Sequence, residues 1–265
     1  MNIGEKVAFD TFIEIGGTHK VCEDYIMQTV VNGCPVIILS DGCSSSSNTD
    51  MGARILCNLA KQYLNRFQSL DDISYEKMGL WVIHNAELIA KQLGLNLECL
   101  DATLIVSIFN NNHVNIFMYG DGTIITKNQD QIDIISISFS KNAPYYLSYL
   151  IDDYKADIYS EEGIKKHIYL NGKFYDDEAY DYPSVYFKNL NVYDTVMIMS
   201  DGIESFQKDF KSCDINEISK RFLDIKVRNG EFLKRTLKSA MKDFSKENIT
   251  HYDDLSVGAF IRRNI

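Results

Sequence analysis

Proline is scarce in this chain: Pro35, Pro144 and Pro183 are the only three among 265 residues. No repeat or low-complexity stretch marks a linker either. One domain spanning residues 1–265 therefore fits better than two small ones. Long apolar runs are missing as well. The longest, such as residues 30–39, fall far short of the ~20 residues that cross a bilayer, so no membrane segment is expected. Residues 1–10 lack a basic stretch followed by an apolar one, so no leader is expected. Six cysteines (Cys22, Cys34, Cys43, Cys57, Cys99 and Cys213) include no Cys-x-x-Cys pair. None stands near a His at zinc-site spacing. A disulfide framework is thus unsupported, and a reducing compartment, the cytoplasm, is the expectation. Positive charge is also in deficit. A net charge of −10 argues against a non-specific nucleic-acid role. Acidity reads first as solubility and second as carboxylates neutralised by bound cations.

What the chain does have is enough apolar material for a core: 45% of its residues are hydrophobic. Residues 7–15 and 25–31, rich in β-branched and aromatic side chains, read as strands. Residues 35–40 (PVIILS) form a fully apolar run ending in Asp41-Gly42, a buried strand entering a turn. Apolar positions Ile55, Leu59 and Leu64 predict a helix over 51–67, with Asn48, Thr49 or Asp50 available as its cap. A second helix is predicted over 74–93. From Ala102 the period changes to that of strands. Runs 102–109, 113–120, 123–127 and 131–139, separated by turn residues, predict an antiparallel meander. Residues 141–183, rich in Tyr and Asp, read as irregular. Strands follow at 185–190 and 195–200, helices at 215–223 and 232–244, and a last strand at 255–261. These elements do not alternate as β-α-β-α. The fold class they support is α+β: a four-layer α/β/β/α sandwich of two antiparallel sheets flanked by helix pairs.

The acidic residues fall at strand ends. Asp41 follows the strand 36–40, Asp121 follows 114–120, and Asp201 follows 195–200, each succeeded by glycine. Glu23-Asp24 precedes the second strand, and Asp253-Asp254 precedes the last. Clustered carboxylates repel unless protons or cations neutralise them. Oxygen donors without His or Cys suit Mg²⁺ or Mn²⁺ and not zinc. A glycine after each aspartate lets the backbone come close enough for a carbonyl to serve as a ligand. Two such ions can activate a water for in-line attack on a phosphate. Any single Asp-Gly, taken alone, is a turn dipeptide.

The ordered series is more specific. Glu23-Asp24, Ser40-Asp41-Gly42, Ala102-Thr103, Gly120-Asp121-Gly122, Ser200-Asp201-Gly202 and Asp253-Asp254-Leu255-Ser256 together resemble the motif set of type 2C metal-dependent Ser/Thr protein phosphatases. The resemblance runs from about residue 16 to 260. The stretch Gly16-Gly17-Thr18-His19 is most similar to a divergent bacterial branch. The resemblance implies that Asp41 bridges two Mg²⁺ or Mn²⁺ ions and that Gly42 offers a carbonyl. It implies Glu23 as a ligand of the second ion, Asp201 and Asp253 as ligands of the first, and Asp121 as the acid of a weaker third. Asp24 takes the place of an acid that hydrogen-bonds metal-bound water. Asp254 stands where the family usually has Asn, so both members of the 253–254 pair remain candidates for the last ligand. Residues 141–184 correspond to a variable, flap-like insertion beside the site.

Two positions depart from the family. His19, with Lys20 beside it, stands where an Arg usually grips the substrate phosphate, and imidazole lacks the guanidinium fork. Cys43 stands where eukaryotic members carry a general-acid His. It is no phosphatase nucleophile in its own right, because no Cys-x₅-Arg loop surrounds it. His251 lies near the last aspartates in sequence, and a stripe of tyrosines (Tyr145, Tyr146, Tyr149, Tyr154 and Tyr159) reads as core, a lid or a recognition surface. The resemblance implies a phosphorylated protein substrate and a cognate Ser/Thr kinase. A pseudophosphatase that binds without hydrolysing, and a two-metal hydrolase of small phosphoesters, are the competing readings.

Overall fold

The computed structural model describes residues 7–263. Residues 1–6, part of the amino-terminal stretch read for a leader, lie outside the described residues. Strands β1 (Val7–Glu14), β2 (Tyr25–Val31) and β3 (Cys34–Ser40) lead into helices α1 (Thr49–Leu64) and α2 (Tyr75–Gln92). Strands β4 (Leu104–Asn110), β5 (His113–Tyr119), β6 (Gly122–Asn128) and β7 (Gln131–Phe139) follow. Then come α3 (Asp153–Glu161), β8 (Lys165–Leu170), β9 (Lys173–Ala179), β10 (Ser184–Asn189) and β11 (Thr195–Met199). The chain continues through β12 (Phe206–Lys208), β13 (Lys211–Ser212), α4 (Ile215–Phe222), α5 (Phe232–Lys246), β14 (Ile249–His251) and β15 (Leu255–Arg262).

One sheet has the order β1-β15-β11-β6-β7-β8-β9 and the other β10-β5-β4-β3-β2, and their strands pair antiparallel. Three apolar layers hold them. On β3, Val36 and Ile38 face α1 and α2, while Ile37 and Leu39 face the other sheet. On β11, Val196 and Ile198 enter the same inter-sheet layer, and Met197 and Met199 meet α4 and α5. Both strands are covered on both faces, which is why each reads as an unbroken apolar run and not as an alternation. Each such aliphatic side chain contributes about 1.5–3 kcal/mol by leaving water. At Gly258 of β15 an added Cβ would lie 2.6 Å from Ile37 Cγ2, so glycine sets how closely the sheets approach there. The expected four-layer α/β/β/α sandwich is the observed architecture.

Three local expectations differ from the structure. The meander is two hairpins in different sheets: β4 and β5 pair in one, β6 and β7 in the other. The chain passes between sheets at Gly120-Asp121-Gly122, where both glycines have positive φ (94° and 139°). Residues 141–183 are ordered as α3, β8 and β9, the strands extending one edge of the larger sheet. Strand β9 is exposed along most of its length, so no inward alternation marked it. A small sheet of β13, β12 and β14 was also unforeseen, its strands being only two or three residues long. At α1, Asn48 occupies the cap position in a left-handed conformation with φ 59° and makes no side-chain cap bond. At α2, Ser74 does cap, accepting from the Lys77 amide.

Candidate active site

Strand β3 delivers Asp41 to the rim between the sheets, and the Ala102-Thr103 segment fastens it there. The Asp41 amide donates to Thr103 Oγ1 at 3.0 Å, the Thr103 amide donates to the Asp41 carbonyl at 2.8 Å, and Ser40 Oγ donates to the Thr103 carbonyl at 2.5 Å. Gly42 is a steric requirement: an added Cβ would lie 2.8 Å from Thr49 Cβ and 2.9 Å from the Glu23 carbonyl oxygen. From the opposite sheet β11 delivers Asp201, which opens a short 3₁₀ turn. Its glycine serves another close approach, since a Cβ on Gly202 would overlap the Asp254 carbonyl. Asp121 arrives from the sheet crossing, and Gly122 is there to avoid Ile105 and the Met199 carbonyl.

These acids converge. Loss of hydration first, then the charges of Asp24, Asp201 and Asp121, hold Asp41 well above the usual carboxylate range. Asp121 is likewise raised by burial, and then by Asp201, Glu204 and Asp253. Asp24, buried behind them, is pushed up to about 7 by desolvation, although Ser256 and Ser200 hydrogen-bond its charged form. Its Oδ2 accepts from Ser200 Oγ at 3.0 Å, while its Oδ1 is buried without a partner. Asp253 is raised by burial and by Asp201, and Glu23 by burial and by Asp254 and Asp253.

The pair 253–254 divides its work. Asp254 is buried, and its Oδ1 accepts from the Gly16 amide at 2.7 Å and its Oδ2 from the Glu23 amide at 2.6 Å. Its carboxylate is thus occupied in pinning the loop that carries His19 and Glu23. The Asp253 side chain is 42% exposed and turns toward Asp201. His19 lies between the two: Nε2 is 3.5 Å from Asp253 Oδ1 and Nδ1 is 3.1 Å from Asp254 Oδ2, off the line of a hydrogen bond. Burial works to lower the His19 pKa, but Asp254, Asp253 and Glu23 together raise it above the ordinary value. His251 is directed elsewhere, with Nε2 3.2 Å from the Ile15 carbonyl and its ring stacked on Phe206.

Several participants were not found in the sequence. Asp101 accepts from Ser46 Oγ (3.0 Å), Ser148 Oγ (2.7 Å) and Lys155 Nζ (2.6 Å), tying the turn after Asp41 to α3. Tyr146, singled out in the sequence only as one of the tyrosine stripe, stands beside Cys43, Asp41 and Asp121. Glu204 adds a further carboxylate near Asp121 and Asp201. The only sequence signal was position, Asp101 preceding Ala102-Thr103 and Glu204 following Asp201-Gly202.

The donor set suits a hard divalent cation. It consists of oxygens only, its carboxylates repel one another, Asp24 Oδ1 is buried and unpaired, and the Gly42 backbone lies against that of Glu23. Among the described residues, no three His, Cys, Asp or Glu side chains already close around one point as a cage.

A two-sheet sandwich whose central strands end in mutually repelling carboxylates defines a class of acid-rimmed hydrolase. The chain belongs to the protein phosphatase 2C family, whose model matches residues 17–244. It is by that membership a metal-dependent Ser/Thr protein phosphatase. The match stops short of Asp253 and Asp254. The serine/threonine phosphatase Stp1 from Staphylococcus aureus is similar in fold, with a TM-score of 0.60 at 18% identity, covering 100% of this chain and 98% of that one. The PP2C phosphatase domain of SpoIIE from Bacillus subtilis gives 0.60 at 13% identity, covering 98% of this chain and 66% of that one. The catalytic domain of PstP, solved with two manganese ions, gives 0.54 at 13% identity, covering 98% and 99%. At such identities the likeness is one of fold. None of the curated proteins matches this chain in sequence.

Proposed function

We propose that this protein hydrolyses phosphoserine or phosphothreonine in a polypeptide, using two Mg²⁺ or Mn²⁺ ions, and that it acts in the cytoplasm opposite a Ser/Thr kinase. Asp41, Asp201, Asp253, Glu23 and the Gly42 carbonyl would hold the two ions, with Asp121 serving a third. When bound, the ions supply the Lewis acidity that turns water into a nucleophile for in-line attack on phosphorus. The products are the free hydroxyl side chain and inorganic phosphate.

The protein's own groups have separate tasks. Asp24, buried and pushed up to about 7 by desolvation, can accept and return a proton at Oδ1. Asp254 holds the Gly16–Glu23 loop in place through its two amide contacts. His19 places imidazole where the family resemblance implies an Arg, and both its nitrogens face the protein's own aspartates. Six free thiols support the cytoplasmic reading. The observation that carries the functional reading is the convergence of Asp41, Asp121 and Asp253, from separate elements, on Asp201, whose charge adds to burial in raising all three.

A second reading, a regulatory module that binds phosphoprotein without turnover, draws on the departures at His19 and Cys43. The discriminating experiment measures hydrolysis of p-nitrophenyl phosphate and a phosphothreonine peptide, with and without Mn²⁺, for wild type and Asp201→Asn. Metal-dependent turnover lost in the variant is the expected result. Absence of turnover despite Mn²⁺-induced stabilisation would favour the regulatory module.

A further inference from the structure

Tyr145 and Tyr146 of the tyrosine stripe join Tyr75, Tyr119, Tyr180 and Tyr182 in lining a cavity of about 280 Å³ between α2, the end of β5 and residues 139–184. Its walls are mainly ring faces and aliphatic carbons. Tyr75 and Tyr119 stack at 4.2 Å, and their hydroxyls are spent on backbone carbonyls, Tyr75 donating to Met118 at 3.0 Å and Tyr119 to Tyr75 at 2.6 Å. Among the described residues, the one cation in the wall, Lys166, is 1% exposed and already saturated. It donates to the Tyr182 carbonyl (2.6 Å) and Ser184 Oγ (2.9 Å), and it pairs with Glu178 at 2.7 Å. The wall thus offers apolar faces and no free positive charge, so an anion gains nothing there and an uncharged ring gains burial.

The cavity adjoins the acids. Gly120 lines it, and the next residue is Asp121. Tyr146 also lines it and stands beside Asp41, Asp121 and Cys43 on its other side. Consecutive Cα atoms are about 3.8 Å apart, and an extended peptide advances about 3.3–3.6 Å per residue. A side chain two or three residues from a phosphate held at the acids therefore reaches the cavity. At about 280 Å³ the cavity has room for one aromatic side chain of a bound peptide. Exposed Glu76 and Asp181 on the rim favour a basic residue next to that side chain.

We propose that this cavity is a specificity subsite for one aromatic side chain of the phosphorylated polypeptide, two or three residues from the phosphoresidue and flanked by Lys or Arg. The proposal rests on the phosphatase reading. Its test uses the full chain with Mn²⁺ and phosphothreonine peptides in which one Trp is moved through the flanking positions, each compared with Ala there. p-Nitrophenyl phosphate, which has no flanking residues, is assayed in parallel. The expected result is a roughly tenfold higher kcat/KM for Trp at one position, the scale of partly burying one aromatic ring. Leu80→Trp, at an exposed rim position of α2, fills the cavity and brings that ratio toward one. Leu150→Trp does so from the opposite rim. A flat scan with p-nitrophenyl phosphate still hydrolysed overturns the subsite and leaves the phosphatase standing. A preference that survives both folded variants also overturns it. Failure to hydrolyse any substrate brings down both readings.

Discussion

Two adjacent aspartates should respond in opposite ways to the same substitution. Asp254→Ala leaves the Gly16 and Glu23 amides, now at 2.7 and 2.6 Å from a carboxylate, without an acceptor in a buried place. Each orphaned donor costs about 1–3 kcal/mol, so a combined loss of about 4 kcal/mol is expected. For a chain of this size, each kcal/mol lowers the melting temperature by about 2–4 °C, giving a fall of about 8–16 °C. Asn is a poor replacement, because its single oxygen satisfies one amide and its NH₂ confronts the other. Asp253→Ala removes a half-exposed carboxylate that is raised by burial and crowded by Asp201, and whose bond to the Asp254 amide is local. Its melting temperature should match or exceed that of wild type. The assay is thermal unfolding in metal-free buffer, so that ion binding does not enter the comparison. Equal losses in the two variants, or an Asp254→Ala protein within about 2 °C of wild type, would refute the division of labour.

Two further perturbations test other parts of the structure. Asp10 is buried, accepts from the Leu233 amide at 2.7 Å, and is raised chiefly by desolvation. A raised carboxylate contributes stability that is present below its unfolded pKa of about 3.9 and is lost as pH rises through the folded value. Asp10→Asn keeps an acceptor for Leu233, so it should be at least as stable as wild type at pH 7, with the advantage vanishing near pH 4 in urea titrations. Lys155→Met deprives buried Asp101 of its cation while leaving the Ser46 and Ser148 hydroxyls in place. The expected cost is about 2–3 kcal/mol by chemical denaturation, with faster amide exchange in α3, which loses its tie to the Asp41 turn.

The central strands were readable because their environment is nearly uniform. β3 and β11 are buried on both faces, and an unbroken apolar run is what such burial selects. Asp121-Gly122 reads as a turn between strands of one meander because local chemistry cannot separate a turn from a sheet crossing. Only the tertiary neighbours of Gly122, Ile105 and the Met199 carbonyl, set its conformation. β9 was unreadable for the opposite reason: its Lys173–Ala179 face meets little but water, so no period is imposed on it. At the site, Asp41, Asp121 and Asp201 were found because each ends a recognisable strand. Asp253 and Asp254 share composition and position, and only burial distinguishes the brace from the exposed acid.

The position of His19 carries the argument furthest from the family's pattern. A residue that grips substrate phosphate needs donors free to meet it. Here Nε2 and Nδ1 face Asp253 and Asp254 at 3.5 and 3.1 Å, so a phosphate reaching them would be set against the protein's own carboxylates. The imidazole is better placed to join the two aspartates to the Gly16–Glu23 loop than to receive a substrate. His19→Ala should then change the KM for p-nitrophenyl phosphate by less than about threefold, the equivalent of well under 1 kcal/mol. The same variant should melt at a lower temperature in metal-free buffer, because Asp253 and Asp254 lose the group that lies between them. A tenfold rise in KM with unchanged melting would reverse the assignment and make His19 the phosphate-binding group.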